Sequence, residues 1–165
     1  MLGNGGSGID VQADGNTVGG TAAGAGNIIS GSLYNGVVVS GDDNTIQGNY
    51  IGTDVTGTVA MGNAAMGSWT TGVKIESGAK RNRIGTDGNG VADNAERNVI
   101  SANLSIGVRI WGAGADANVV AGTFIGTDAT GTVGGIDQGD TRVDEDELRS
   151  VHIAPYVEAP SGARR

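Results

Sequence analysis

A glycine followed by alternating apolar and variable positions occurs four times along the chain, starting at Gly8, Gly36, Gly72 and Gly107. Alternation of period two is the mark of a strand with one buried face. Ile9 and Val11, Val37 and Val39, Val73 and Ile75, and Val108 and Ile110 therefore point into a core, while Asp10, Val38, Lys74 and Arg109 point away from it. A second element, Asn-x-apolar, follows each first one at Asn16, Asn44, Asn82 and Asn118 and sends Val18, Ile46, Ile84 and Val120 inward. A third short apolar element supplies Ile29, Ile51, Ile100 and Ile125. Each unit thus predicts three strands and four inward aliphatics at equivalent positions.

The four units start 28, 36 and 35 residues apart, and a longer period spans two of them. Asn44 to Thr58 recurs 74 residues later as Asn118 to Thr132, and Asn27-Ile28-Ile29-Ser30 returns 71 residues on as Asn98-Val99-Ile100-Ser101. A repeat of this kind cannot bury its apolar face alone, so stability requires stacking, with aliphatic ladders inside and backbone hydrogen bonds between neighbouring coils. Asn16, Asn44, Asn82 and Asn118 share the face of the inward aliphatic two residues on, and Asn27, Asn49 and Asn98, with Thr123 at the fourth rung, form a similar series. Stacked amides can satisfy one another at the core edge. Ile28, Tyr50, Val99 and Phe124 make an outward apolar stripe on the third wall, which the long loops that follow are expected to cover.

Composition narrows the class. Glycine is 32 of 165 residues and proline only 2, which fits frequent chain reversal and neither collagen nor a proline-rich linker. The formal charge of −8 argues against a nucleic-acid partner. No cysteine is present, which excludes disulfides and thiolate metal sites, and no run approaches the ~20 apolar residues of a membrane helix, so membrane insertion is not expected. The repeats occupy residues 1–132. From 133 to 165 the pattern stops, the next Gly-apolar-x-apolar element is not met, and Asp144-Glu145-Asp146-Glu147 introduces an acidic tail expected to be poorly ordered. The lone His152 lies in that tail and receives no role. A start in mid-repeat and the abrupt end at Thr132 suggest a fragment of a longer protein, and bare solenoid ends offer unpaired strand edges for self-association.

The segments Gly48 to Thr58 (GNYIGTDVTGT), Gly20 to Gly31 (GTAAGAGNIISG) and Ala95 to Asn103 (AERNVISAN) closely resemble repeats of bacterial right-handed parallel β-helix proteins of pectate-lyase-like architecture. The resemblance covers the repeat region and implies an all-β fold, a right-handed single-stranded parallel β-helix of about four coils. It also implies a secreted or cell-surface setting. Proteins of that architecture include polysaccharide lyases, hydrolases and epimerases, and also long scaffolds, and fold alone does not choose among them. The expected function is a structural or adhesive scaffold segment that contacts polysaccharide; the alternative is a fragment of a polysaccharide lyase or glycoside hydrolase.

The candidate carbohydrate-binding surface is the outward face of the first strand element, carrying Lys74, Glu76, Arg109 and Trp111, with Trp69 in the loop before it. An aromatic beside charged groups suits a sugar, whereas a cross-strand Arg109–Glu76 pair and a solvated turn at Lys80, Arg81 and Arg83 explain the same charges without a ligand. No residue is singled out as catalytic. Asp54 and Asp128 occupy equivalent places in two GTDxTGT loops and are weak candidates for calcium, a hard cation that takes oxygen ligands. A tight turn wants the same residues, and loops two coils apart, ~10 Å, cannot share an ion. Gly85 to Gly90 resembles a phosphate loop only loosely, because no helix is expected after it and no Gly-Lys-Ser/Thr is present.

Overall fold

The computed structural model describes residues 3–63, 65 and 69–132. Within them the chain forms twelve short strands and one single-turn helix. The strands are β1 (Ile9–Val11), β2 (Thr17–Gly19), β3 (Ile28–Ile29), β4 (Val37–Val39), β5 (Thr45–Gln47), β6 (Tyr50–Ile51), β7 (Thr71–Ile75), β8 (Arg83–Gly85), β9 (Val99–Ile100), β10 (Ile106–Ile110), β11 (Val119–Ala121) and β12 (Phe124–Ile125). The helix α1 (Asp93–Glu96) lies between β8 and β9.

Every third strand pairs with its equivalent in the next coil. This builds three parallel sheets in the orders β1-β4-β7-β10, β2-β5-β8-β11 and β3-β6-β9-β12. The result is a right-handed parallel β-helix of four coils. At ~4.8 Å per coil the stack rises roughly 19 Å.

The strands are two to five residues long, so each wall contributes one or two inward side chains and the register between coils must be exact in sense. It is: Val11, Val39, Ile75 and Ile110 are successive Cα partners on the first wall. Val18, Ile46, Ile84 and Val120 align on the second, and Ile29, Ile51, Ile100 and Ile125 on the third. The aliphatics of the two middle coils are fully buried, including Val37, Val39, Ile46, Ile51, Val73, Ile75 and Ile84 at 0% exposure. In the fourth coil Ile110, Val120 and Ile125 face inward yet remain 39–44% exposed, because no described strand stacks beyond them. Val38, read as outward from the alternation, is nevertheless only 7% exposed.

Three amide series, not two, run along the corners. Asn16 Nδ2 donates to Asn44 Oδ1 at 3.2 Å and Asn82 Nδ2 to Asn118 Oδ1 at 3.1 Å. Between them Asn44 is linked to Asn82 through its backbone N–H (2.8 Å), while its own Nδ2 is buried and unpartnered. Asn27 donates to Asn49 and Asn49 to Asn98, both at 3.0 Å. A third series joins Asn63 Nδ2 to Asn103 Oδ1 at 3.0 Å, with Asn63 Oδ1 accepting the Ser32 N–H. In all three the side-chain oxygen also takes a backbone N–H from the preceding coil, so each Asn clamps two coils at a bend where the ladder is interrupted.

The following loops cover the third-wall stripe in coils two and four, whereas the first coil's Ile28 stays open. Val99 is 5% exposed, and Gly57 and Gly131 pack directly over the Tyr50 and Phe124 rings, while Ile28 stays 51% exposed. Expectations about residues 133–165, including a poorly ordered tail, lie outside the described residues.

Candidate functional site

The outer face of the first sheet brings together the residues that the alternation pointed outward. Lys74 and Arg109 are Cα partners on β7 and β10, so their side chains occupy neighbouring rungs. Glu76 and Trp111 directly follow these strands, two residues beyond Lys74 and Arg109 and of the same parity. Trp69 enters from the loop before β7 with φ of +87°, in the left-handed half of conformational space. For a bulky residue that backbone is an outlier, held only where surroundings over-determine it.

The Arg109 guanidinium stacks over both indoles, 4.4 Å from the Trp111 ring centroid and 5.0 Å from that of Trp69. Each such contact contributes on the order of 0.5–1 kcal/mol at an exposed site and biases three large side chains toward one arrangement. Stacking uses the guanidinium's faces and leaves its in-plane N–H donors free. The cross-strand Arg109–Glu76 pair, the ligand-free alternative, does not form: Glu76 pairs with Lys74 of the same coil, and among the described residues no carboxylate bonds to Arg109. Trp69 and Trp111 remain 68% and 60% exposed. The surface therefore offers two exposed indoles gathered around one guanidinium whose planar donors meet no carboxylate among the described residues.

Two of the three turn cations, Arg81 and Arg83, have carboxylate partners. Arg81 binds Asp43 at 2.7 Å and Asp42 at 3.1 Å, and its hydrogen bond holds the Asp43 carboxyl below the usual carboxylate range. Arg83 lies 3.7 Å from Asp87.

Asp54 and Asp128 act within their own turns. Asp54 accepts from the Thr56 hydroxyl (2.8 Å) and the Val59 N–H (3.1 Å), and Asp128 accepts from the Thr130 hydroxyl (2.6 Å) and the Thr132 N–H (3.1 Å). The threonine bonds, reinforced by the backbone N–H groups, keep both carboxyls below their ordinary pKa. The two loops are not held apart by the intervening coil: the Ala129 N–H donates to the Gly57 carbonyl at 3.1 Å. Coil three carries no long loop at this corner, and the loops of coils two and four close over the gap.

A carboxylate group that the sequence did not single out lies on the loop after β8. Ligand atoms of Asp87, Asp93 and Glu96 fall within 4.8 Å of one another. Glu96, 7% exposed, accepts the Asp87 N–H at 2.9 Å, and Asp93 Oδ1 is buried without a hydrogen-bond partner. Hard oxygen donors at this spacing are the kind a calcium-sized cation takes, with Arg83 as the counter-charge present in the chain. The sequence predicts no helix after this loop, yet the single turn α1 follows, entered through Ala92 in a left-handed conformation (φ 62°), and its Asp93 and Glu96 come close to Asp87. The nearest sequence signal was the Asp87-Gly88-Asn89-Gly90 alternation, in which Asp87 accepts the Asn89 N–H in a tight Asx turn.

No family model, no curated protein and no solved structure matches this chain.

Proposed function

We propose that this chain is a structural solenoid segment of an exported or cell-surface protein, and that it contacts polysaccharide through Trp69, Arg109 and Trp111. The observation that carries the reading is the stacked guanidinium with two indoles that stay more than half exposed. A sugar ring presents an apolar C–H face, which suits an indole, and an equatorial rim of hydroxyls, which suits planar donors. Gathering the aromatics around Arg109 before binding lowers part of the ordering cost on association. The solenoid supplies a rigid, repetitive wall on which such a patch can meet an extended polymer. The resemblance of the repeats to those of secreted and surface β-helix proteins supports the setting.

The test is affinity electrophoresis of the full chain through gels containing a panel of neutral and acidic polysaccharides, with Trp111→Ala and Trp69→Ala beside the parent. Retardation by at least one polymer, lost in both variants while far-UV circular dichroism is unchanged, supports the reading. No retardation across the panel refutes the contact. Release of new reducing ends or unsaturated products from any polymer overturns the scaffold assignment in favour of a lyase or hydrolase.

A further inference from the structure

We propose that Asn89 is a self-modifying residue: the Gly90 nitrogen attacks its side-chain amide with Asp93 as the base, and the loop after β8 passes from asparagine to aspartate or isoaspartate. Three Asn-Gly pairs occur in the chain, at Asn4, Asn35 and Asn89. Glycine after asparagine favours this cyclisation because no side chain crowds the attacking nitrogen, and at Gly90 nothing lies within 4 Å of the place a Cβ would take. At Asn89, moreover, each reacting atom has a partner suited to its task. The Gly90 N–H donates to Asp93 Oδ2 at 3.2 Å, within the reach of a general base. Asn89 Oδ1 accepts the Val91 N–H at 2.6 Å, a bond that folds the side chain back over the Gly90 peptide and steadies the negative charge developing on that oxygen. The leaving nitrogen, Asn89 Nδ2, donates to Asp87 Oδ2 at 2.9 Å, while Asp87 Oδ1 accepts the Asn89 N–H at 3.0 Å, so the residue is held at both ends in a bent form.

A bond forms between Gly90 N and Asn89 Cγ, and the Gly90 N–H proton passes to Asp93. The Cγ–Nδ2 bond then breaks as Nδ2 regains that proton through solvent and departs as ammonia. Water opens the cyclic imide at either carbonyl, leaving aspartate or its backbone-shifted isomer, and nothing is oxidised or reduced. The new carboxylate faces Asp87 where an N–H donor stood and adds a further acid to Asp87, Asp93 and Glu96, so like charges favour opening of the loop. The other two pairs lack this arrangement. At Asn35 the Gly36 N–H donates to the Thr71 carbonyl at 2.9 Å, and Asn35 Oδ1 accepts the Thr71 N–H (2.8 Å) and hydroxyl (3.1 Å). Attack there requires coils two and three to separate. Asn4 is exposed, yet among the described residues no carboxylate accepts the Gly5 N–H.

The test is incubation of the full chain at neutral pH, followed by digestion at mildly acidic pH and mass spectrometry, with fragment ions assigning each amide-to-acid gain to its residue. Trypsin releases Asn89 in the peptide from Ile84 to Arg97, and methyl acceptance from an isoaspartyl methyltransferase scores the isomerised product. Asn89 should convert roughly 10-fold faster than Asn4, the low end of what a positioned base contributes, while Asn35 stays intact over the same period. Asp93→Asn keeps an oxygen to accept the Gly90 N–H but removes the base, so the Asn89 rate should fall to that of Asn4 and become proportional to hydroxide concentration. Asn35, protected only while coils two and three are paired, reports in the same digest that the variant is folded. Conversion of Asn89 no faster than that of Asn4 in the parent chain overturns the proposal, and so does an unchanged Asn89 rate in Asp93→Asn.

Discussion

Asn49 gives the strongest test of how the corners of the stack are held. It is 1% exposed, and its Nδ2 donates to the carbonyls of Val18 and Gln47, both at 2.9 Å, and to Asn98 Oδ1 at 3.0 Å. Its Oδ1 accepts the Asn27 N–H at 3.1 Å. Asn49→Ala removes these four bonds and a fifth, from Asn27 Nδ2 to the same Oδ1 at 3.0 Å. Two carbonyls each lose a bond of about 1 kcal/mol net, and an N–H left without its acceptor adds ~1–3 kcal/mol where water cannot replace it. The expected loss is about 2–4 kcal/mol, as large as that for an aliphatic core residue although the side chain is polar. Asn49→Thr should lose roughly half as much. Thr123 holds the same rung in coil four, where its hydroxyl donates to the Ala121 carbonyl at 3.3 Å. Urea denaturation followed by circular dichroism, with an unchanged m-value, reads the difference directly. A loss below about 0.5 kcal/mol for Asn49→Ala would refute the claim that the amides clamp the coils.

Ile75, at 0% exposure between Val39 and Ile110 on the first-wall ladder, should lose ~2–5 kcal/mol on truncation to alanine, measured in the same way; an unchanged midpoint would contradict the facing of the first wall. The GTDxTGT loops should make the protein acid-sensitive. Asp54 and Asp128 have carboxyls held below their unfolded value of 3.8, so their contribution is complete above that value and disappears as pH falls through the lower folded values. The double variant Asp54→Asn with Asp128→Asn should therefore show a shallower fall of melting temperature between about pH 5 and pH 2 than the parent, and equal slopes would contradict the turn role.

The walls were legible because alternation of period two is local. Three residues suffice to face Val73 and Ile75 inward, and repetition of the motif sets the register without any long-range information. The middle of the site was legible for the same reason: Lys74 and Arg109 are outward by parity alone. Their partners were not. Whether Arg109 meets Glu76 or the two indoles depends on the path of the loop that delivers Trp69, which parity does not describe. The same limit explains the Gly57–Ala129 contact, since loops 74 residues apart in the repeat converge only after the stack is built. The Asn63–Asn103 series escaped notice because Asn63 follows a long loop and Asn103 a short one, so their spacing from the preceding strand differs. The Asp87, Asp93 and Glu96 group depends on a left-handed alanine that no residue preference announces.

The most direct measurement uses the chain's own reporters. Trp69 and Trp111 are its only tryptophans, and both lie at the proposed polysaccharide contact, so emission excited selectively in tryptophan, beyond the absorption of the three tyrosines, reports that surface. Titrating the full chain with the polysaccharide that retards it most should shift the emission to shorter wavelength and saturate, and Arg109→Ala should abolish the saturable change while the fold is retained. Emission that stays unchanged at saturating polymer would contradict the assignment of this face as the binding surface.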